Sequence, residues 1–272
     1  MPIQADMHTH SSFSSDCDIP LEEMINHAHS LGLTHYCVTE HLDLDFPIHP
    51  VDQLDFLLDT HSYLEKARFL QKNCPSDFRL LIGVELGLQP HLGKQLQAFV
   101  REHSFDFVIA SSHLCHGKDP YYPDFYGGRT EEEAYREYFT SVLENIQAFD
   151  SFDVYGHLDY VVRYGPYKDT RYSYEKYRDI LDSILQLLLE KGKGIELNTG
   201  GVKYGLKELH PCTPLLKRYK ELGGEIITVG SDAHKPENIA AHFSRAQEVL
   251  KTCGFNYYTI FKNRRPEFIP LG

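Results

Sequence analysis

The chain has 272 residues, of which 42% are hydrophobic and 24% charged, a composition typical of a globular protein that buries a substantial core. The net charge is −12, from 27 Lys and Arg against 39 Asp and Glu, and no basic block resembles a surface that tracks phosphates, so nucleic acid is not an expected partner. No apolar run reaches the roughly 18 residues of a membrane-spanning helix, so we expect no membrane insertion.

Seven short apolar runs recur along the chain, and each stops at a cluster of polar side chains. In chain order they read IQADMHTH, HYCVTEH, LLIGVELG, FVIASSH, FDVYGHLD, KGIELNT and IITVGSDAH. Segments with helical spacing lie between them, and three of these are predicted to stop at glycines: Gly32, Gly192 and Gly223. An alternation of short strands and helices predicts βα units around a parallel sheet.

The distribution of the polar clusters favours a closed barrel. Polar side chains follow nearly every predicted strand, and a parallel barrel gathers the ends of its strands around one mouth. An open doubly wound sheet would concentrate its ligands at one switch point instead. We therefore predict an α/β fold, a single-domain barrel over residues 1–272 with seven or eight βα units.

The first and last runs contain pairs of candidate metal ligands. Alternate side chains of extended backbone share a face, so His8 and His10 can bind one ion, and Asp6 shares that face as a further ligand or a supporting partner. Asp232 and His234 repeat this spacing. A short His pair alone is weak evidence, since surface residues match it by chance, but its position at a strand end favours ligation.

The other runs supply further candidate ligands. Glu85 lies in an apolar run, where a buried carboxylate is costly unless it is paired or coordinated, so it is either half of a buried salt bridge or a bridge between two metals. His113 and His157 each close an apolar run and could be structural, but their shared placement favours ligation. His41 closes the second run, and Asp16 lies in the loop after the first, where an exposed Asp is the default.

Imidazole and carboxylate together suit zinc, iron or manganese, with zinc our first expectation, and no cysteine occupies an evident ligand position. Two close ions of this kind can lower the pKa of a bridging water and screen the charge of a phosphate. The constellation therefore predicts a polynuclear metal hydrolase in which a hydroxide attacks phosphorus directly.

A phosphate also needs fixed hydrogen-bond donors, and three candidates follow ligand-bearing motifs. These are Ser14, Arg163 and Lys203, of which Arg suits a bidentate contact and Lys a point charge. Each could equally be a loop hydroxyl or a solvated surface cation. The leaving alkoxide needs a proton, for which Asp232 and His234 are the candidate donors.

Two long irregular segments follow predicted strands. The first, His116–Thr130, has the length of a lid or binding loop, and its Tyr121, Tyr122 and Tyr126 either cover a substrate or pack the loop onto the barrel. The second is Tyr164–Tyr174.

The six cysteines are scattered without a CxxC pair, and no signal-like apolar segment follows Met1. We therefore expect a reduced protein of the cytoplasm.

The motifs DMHTHSSFSSD, TEH, GVEL, SSHL, GHLD, ELNTGG and GSDAH, in this order over residues 6–234, resemble the successive motifs of the PHP superfamily, named for polymerase and histidinol phosphatase. The chain is most similar to the histidinol-phosphatase branch. The resemblance implies a distorted (β/α)7 barrel with two to three divalent metal ions at its mouth. It also implies hydrolysis of L-histidinol phosphate to L-histidinol and phosphate, in histidine biosynthesis.

The resemblance further implies how the ligands are shared among three ions. The first ion would be held by His8, His10, Glu85 and Asp232. The second would be held by Glu85, His113 and His157, with Glu85 as the bridge. The third would be held by Asp16, His41 and His234.

Three alternatives remain beside this interpretation. The substrate could be another small phosphate ester or a nucleotide. An amidohydrolase-type barrel is a second alternative, although such barrels commonly use a modified lysine where this chain has Ser111, Ser112 and His113. The third is a metal-binding module without catalysis.

Overall fold

The computed structural model describes residues 3–50 and 52–272. Its central feature is a sheet of seven parallel strands, one in each of the predicted apolar runs, which pair in chain order. The strands are β1 (Ala5–Asp6), β2 (His35–Leu42), β3 (Arg79–Gly87), β4 (Phe107–Ser111), β5 (Val154–Tyr155), β6 (Gly194–Asn198) and β7 (Ile227–Gly230).

The two edges of the sheet meet, so that the strands form a nearly closed barrel. The Met7 N–H donates to the carbonyl of Val229 at 2.9 Å, and the His10 N–H donates to the carbonyl of Ala233 at 2.9 Å. These bonds bring the residues just after β1 beside those of β7. The predicted parallel barrel is thereby confirmed, with seven strands.

In the described part of the chain, seven α-helices lie between the strands of the sheet or after β7, and strands β1 to β7 are almost wholly buried. They are α1 (Leu21–Ser30), α2 (Thr60–Lys72), α3 (Gly93–Glu102), α4 (Glu131–Ala148), α5 (Arg178–Glu190), α6 (Thr213–Glu221) and α7 (Phe243–Thr252). Helices α1, α5 and α6 stop just before Gly32, Gly192 and Gly223, whose φ angles of +77°, +66° and +96° are left-handed, as predicted. None of the described helices is long and apolar enough to cross a membrane.

Short 3-10 turns occupy several loops at the mouth of the barrel. They are Pro90–Leu92, Pro123–Tyr126, Tyr160–Arg163, Lys168–Thr170, Tyr174–Tyr177, Gly200–Tyr204 and Pro236–Asn238. The predicted irregular segment His116–Thr130 ends at a capping box, in which Thr130 accepts the N–H of Glu133 and the Glu133 side chain returns to the N–H of Thr130. This cap fixes where the loop passes into α4.

An antiparallel hairpin of β8 (Tyr257–Lys262) and β9 (Arg265–Pro270) follows α7 and was not among the predicted elements. It packs against the opposite end of the barrel from the ligand-bearing loops. Phe261 stacks on Phe107 with ring centroids 5.1 Å apart, and Arg264 Nε lies 2.5 Å from the Asp153 carboxylate. The hairpin therefore covers the starts of β4 and β5 and leaves the mouth open.

Candidate metal centre

The strand ends bring all nine predicted metal ligands together at the mouth of the barrel. They form what we call the ligand cluster: His8, His10, Asp16, His41, Glu85, His113, His157, Asp232 and His234. The register of the sheet contributes directly, since His41 of β2 is paired with Glu85 of β3. Thr9, between the two first histidines, points the other way and donates to the carbonyl of Cys37.

Glu85 lies at the centre of the ligand cluster, and its two oxygens face different histidines. Oε2 lies 3.1 Å from His8 Nε2 and 3.5 Å from His10 Nε2. Oε1 lies 3.2 Å from His113 Nε2 and 2.9 Å from His157 Nε2. A carboxylate in this position can bridge two ions.

Two groups of ligand atoms share His8. The atoms of His8, His10 and Asp232 all lie within 4.8 Å of one another, with Asp232 Oδ1 at 3.9 Å from His8 Nε2 and 3.6 Å from His10 Nε2. His8, Glu85 and His157 form a second such group. Each group offers the mixed imidazole and carboxylate donors that zinc, iron and manganese accept.

A third group lies nearer the surface. His234 Nε2 is 2.9 Å from Asp16 Oδ2, and His41 Nε2 is 3.7 Å from the same oxygen. The ring of His10 stacks on those of both His41 and His234, with centroids 4.1 Å and 4.3 Å away. His41 also turns Nδ1 to Glu85 Oε2 at 3.0 Å, so its ring lies between the third group and the bridging carboxylate.

The ligand cluster has buried polar atoms that protein groups do not satisfy. Among the described residues of the cluster, six such atoms have no hydrogen-bond partner: His8 Nε2, His10 Nε2, His41 Nδ1, Glu85 Oε2, His157 Nδ1 and His234 Nε2. A buried polar atom without a partner is costly. All six belong to predicted ligands, and three of the nitrogens lie within 3.5 Å of Glu85 Oε2, so the residues fit divalent ions.

Within the ligand cluster, the pKa values of neighbouring side chains are shifted in opposite directions. Burial would lower the pKa of His8, but the charges of Glu196 and Glu85 hold it well above its usual range. Burial and the imidazole of His41 hold the pKa of His10 well below its usual range. The pKa of Glu85 is held low against burial, chiefly by the charge of His8. Ions that accept several nitrogen lone pairs would satisfy these side chains together.

Two acidic side chains that were not predicted orient the ligands from behind. Glu196 Oε1 accepts from His8 Nδ1 at 2.7 Å, and Asp43 Oδ1 accepts from His113 Nδ1 at 2.7 Å. Such partners fix the ring orientation and leave Nε2 turned towards Glu85, where it would be available to a metal. Glu196 is a buried acid in an apolar strand. An acidic residue within an apolar run was the pattern that identified Glu85, and the same pattern could have identified Glu196.

Asp6 acts as a supporting partner of the last strand end. Its carboxylate accepts the N–H of Ser231 at 3.0 Å, the hydroxyl of Ser231 at 2.6 Å and the N–H of Ala240 at 2.9 Å. These bonds hold the segment that carries Asp232 against β1. Asp6 belongs to none of the ligand groups found among the described residues.

The three predicted phosphate donors lie in different settings. Ser14 is buried, and its hydroxyl donates to Glu40 at 2.5 Å and accepts the N–H of His41 at 3.1 Å. It does not line the cleft above the ligand cluster. Its contact with a phosphate stays a prediction.

Arg163 and Lys203 both meet Asp232. Arg163 is 4% exposed, and its Nη1 lies 3.1 Å from Asp232 Oδ2, while its Nε and Nη2 have no hydrogen-bond partner among the described residues. Lys203 Nζ donates to the carbonyl of Asp232 at 3.1 Å. Burial would raise the pKa of Asp232, but Arg163 and His8 hold it well below its usual range.

A cleft opens above the ligand cluster. Its aromatic lining is Phe46, Phe56, Tyr160, Tyr164 and Tyr204. Ligands and acidic side chains form the rest of the lining, together with Arg163 and Lys203. The cleft therefore joins cationic, anionic and aromatic surfaces within the space of one small molecule.

Asp119, like Asp43, is an acidic group of this lining that belongs to no predicted ligand set and was not singled out in the sequence. Partial burial raises its pKa to about 7, against the backbone N–H of Tyr121, which lowers it. It lies in the long irregular loop, whose conformation carries no local sequence signal.

The tyrosines predicted for this loop mostly hold it in place. Tyr122 donates to Asp52 at 2.7 Å, and Tyr126 donates to the carbonyl of Val161 at 3.2 Å. Tyr121 packs edge-on against Tyr164, a residue of the cleft, with centroids 5.2 Å apart. None of the three lines the cleft as it stands in the described chain.

Comparisons with known proteins agree with this geometry. Residues 6–200 match the PHP domain family. A histidinol-phosphatase from Lactococcus lactis subsp. lactis is 34% identical over 261 residues, covering 96% of this chain and 95% of the relative. A protein from Clostridium acetobutylicum, named probable histidinol-phosphatase, is 30% identical over 96% of this chain and 97% of its own.

A solved structure is similar throughout. It is histidinol phosphate phosphatase from Lactococcus lactis in complex with zinc, L-histidinol and phosphate, with a TM-score of 0.87 and 32% identity. The match covers 97% of this chain and 99% of that one.

Proposed function

The chain belongs to the PHP domain family, and we propose that it is a histidinol-phosphatase, which hydrolyses L-histidinol phosphate to L-histidinol and phosphate. The structural feature that best supports this proposal is the buried guanidinium of Arg163. Two of its donor atoms have no partner among the described residues, and it stands over a carboxylate of the ligand cluster. A phosphomonoester beside metal ions needs such a donor.

Two to three divalent ions are part of the proposal, with zinc first and iron or manganese as alternatives. The zinc bound by the similar Lactococcus structure and the donor groups described above support this choice. When bound, such ions lower the pKa of a coordinated water and screen the charge of a phosphate. The residues of the ligand cluster would hold them, with the carboxylate of Glu85 shared between two.

Arg163 and Lys203 are proposed to bind the phosphoryl oxygens. The guanidinium offers Nε and Nη2 together, a planar pair that matches two oxygens of a phosphate. Its orientation is set by Asp232 and by the rings of Tyr160 and Tyr204, which lie 5.2 Å and 4.9 Å from it. Of the two predicted donors for the proton of the leaving alkoxide, Asp232 and His234, the imidazole of His234 fits better, because the low pKa of Asp232 keeps its carboxylate ionised.

The remaining walls of the cleft suit the histidinol part of the substrate. L-Histidinol phosphate carries an amino group that is cationic at neutral pH and an imidazole ring. Asp119 can pair with a cation at the cleft wall, and Tyr164 and Phe56 offer ring surfaces. This arrangement favours an amino-bearing phosphate ester over a simple one.

A cytoplasmic location belongs to the same proposal. All six cysteines are free thiols in the structure, which agrees with a reducing compartment.

Replacing Arg163 with alanine should raise KM and lower kcat/KM for L-histidinol phosphate by roughly 10- to 100-fold, because hydrogen bonds to charged groups contribute about 1.5–3 kcal/mol. Steady-state kinetics on metal-replete protein measure the change. Arg163→Lys is the matched variant, which keeps the charge and loses the paired donors, so it should recover only part of the activity. Unchanged kinetics in Arg163→Ala would remove this residue from the site.

Replacing Asp119 with asparagine should raise KM for L-histidinol phosphate by about tenfold, because a charged partner for the amino group is lost. The same variant should leave KM for p-nitrophenyl phosphate, which has no amino group, within about twofold. Asp124, an exposed acid on the same loop, provides the control variant Asp124→Asn. Equal changes in KM for the two esters would contradict a role for Asp119 in substrate choice.

The proposed substrate itself is tested by turnover of a panel of phosphate esters, including nucleotides, with purified metal-replete protein. We expect the highest kcat/KM for L-histidinol phosphate. Binding of esters without turnover would favour a metal-binding module, and a nucleotide at the top of the ranking would replace histidinol phosphate.

A further inference from the structure

A buried pair of side chains joins the two loops that carry Arg163 and Lys203. Asp159 Oδ1 lies 2.5 Å from His210 Nδ1, and Asp159 Oδ2 accepts the N–H of Cys212 at 3.0 Å. Asp159 is 2% exposed and His210 1% exposed. Neither residue lines the cleft, so the pair does not touch a substrate that binds there.

Asp159 lies at the start of the segment that carries Arg163. It directly precedes the 3-10 turn Tyr160–Arg163, and its carbonyl accepts the N–H of Val162 at 3.0 Å. The chain before it is fixed by His157, whose N–H donates to Glu196 at 2.9 Å. A carboxylate held on both oxygens therefore fixes the start of the turn and, with it, the origin of the Arg163 side chain.

His210 supports the segment that presents Lys203. Its backbone exchanges two hydrogen bonds with Asn198 of β6, at 2.6 Å and 2.9 Å. The turn Gly200–Tyr204 packs against its imidazole. The contact at Gly201 is so close that a Cβ added there would be 2.6 Å from Cδ2 and 2.7 Å from Nε2 of His210. The backbone of the turn that carries Lys203 is thus in direct contact with the ring.

We propose that Asp159 and His210 are positioning residues for phosphate binding, which set the distance between Arg163 and Lys203. A short hydrogen bond between a carboxylate and an imidazole, removed from solvent, holds the two loops in one arrangement. Donors held in place before the ligand arrives need no reorganisation when it binds. The inference rests on the proposed function for the ester, although phosphate alone is enough to test it.

The test compares three variants by titrating inorganic phosphate into metal-replete protein in a calorimeter, with KM and kcat measured alongside. Asp159→Asn and His210→Gln should each raise the Kd of phosphate and KM by about tenfold, with a smaller fall in kcat, because each loses one hydrogen bond of the pair. His210→Asn places an amide nitrogen near the position of Nδ1 and should stay within about threefold of the wild type.

Asp153→Asn is the matched control. Asp153 is also buried, and it accepts the N–H of Val108 at 2.9 Å and bonds Arg264 at the far end of the barrel. It should lose stability without a change in the Kd of phosphate. In a protein that already carries Arg163→Ala and Lys203→Ala, Asp159→Asn should have no further effect on this Kd, because it acts through those two side chains.

The positioning role is overturned if Asp159→Asn and His210→Gln bind phosphate within twofold of the wild type, or if Asp153→Asn loses phosphate binding equally. Unfolding of both variants would assign the pair to the stability of the whole barrel and also overturn it. Wild-type protein that binds phosphate but does not turn over L-histidinol phosphate would contradict the proposed substrate only. The ratio of Kd values would still decide on the positioning role.

Discussion

Glu85→Gln should reduce kcat/KM for L-histidinol phosphate by at least about 1,000-fold, because the stabilisation of charge by metal ions is worth several kcal/mol and about 1.4 kcal/mol corresponds to tenfold in rate. Its two oxygens face five histidines within 3.5 Å. An amide presents one oxygen and one N–H, so it cannot serve both sides of the ligand cluster. Metal content of the purified variant should fall together with kcat.

Glu196→Gln is the graded control for this experiment. Glu196 accepts a hydrogen bond from Nδ1 of the ligand His8 and does not face the ligand cluster itself. Loss of such an outer partner typically costs about 10- to 100-fold in metal affinity or activity. A Glu85→Gln protein that keeps full metal content and near wild-type turnover would contradict the bridging role.

Removal of the metal ions should abolish turnover and lower the thermal midpoint by roughly 8–16 °C, since ions at 1,000 times their Kd add about 4 kcal/mol to a domain in which 1 kcal/mol shifts Tm by about 2–4 °C. The cause is the set of buried atoms without hydrogen-bond partners, which the ions satisfy. Calorimetry before and after chelation measures the shift, and added zinc should restore both the Tm and the activity.

The control for chelation is the Glu85→Gln protein. With the bridging carboxylate gone, its Tm should respond much less to chelator and to zinc. A wild-type protein whose Tm and activity are the same with and without metal would show that the ligand cluster is not a metal centre.

The barrel and the ligand cluster were predictable because both follow from local patterns that the fold repeats. Each apolar run became one strand, and the parallel order of the strands gathered the side chains at their ends, so His8 and Asp232 meet although 224 positions separate them. The register of β2 and β3 then placed His41 beside Glu85. No long-range information beyond strand order was needed.

The walls of the cleft were not predictable in the same way. Asp119 and Tyr164 lie in irregular loops, whose course depends on contacts such as that of Tyr122 with Asp52 rather than on periodicity. Ser14 was predicted to be a phosphate donor from its position after a ligand-bearing motif. Motif position could not show that its hydroxyl bonds to Glu40 and to the backbone of His41. The β8–β9 hairpin was missed because it forms no βα unit.

The pair of Asp159 and His210 was hidden for a different reason. Each residue looks ordinary in its own segment, and only the fold brings the loop after β5 against the loop after β6. Its consequence concerns how tightly phosphate is held and not which chemistry occurs. The metal centre and the phosphate donors can therefore be tested separately.

The claim that this protein is a metal-dependent histidinol-phosphatase can be checked by steady-state kinetics on L-histidinol phosphate with metal analysis of the same sample. We expect kcat/KM for this substrate to exceed that for generic phosphate esters and to rise in proportion to the bound metal. A kcat/KM below that for generic esters, or activity that is independent of metal content, would contradict the claim.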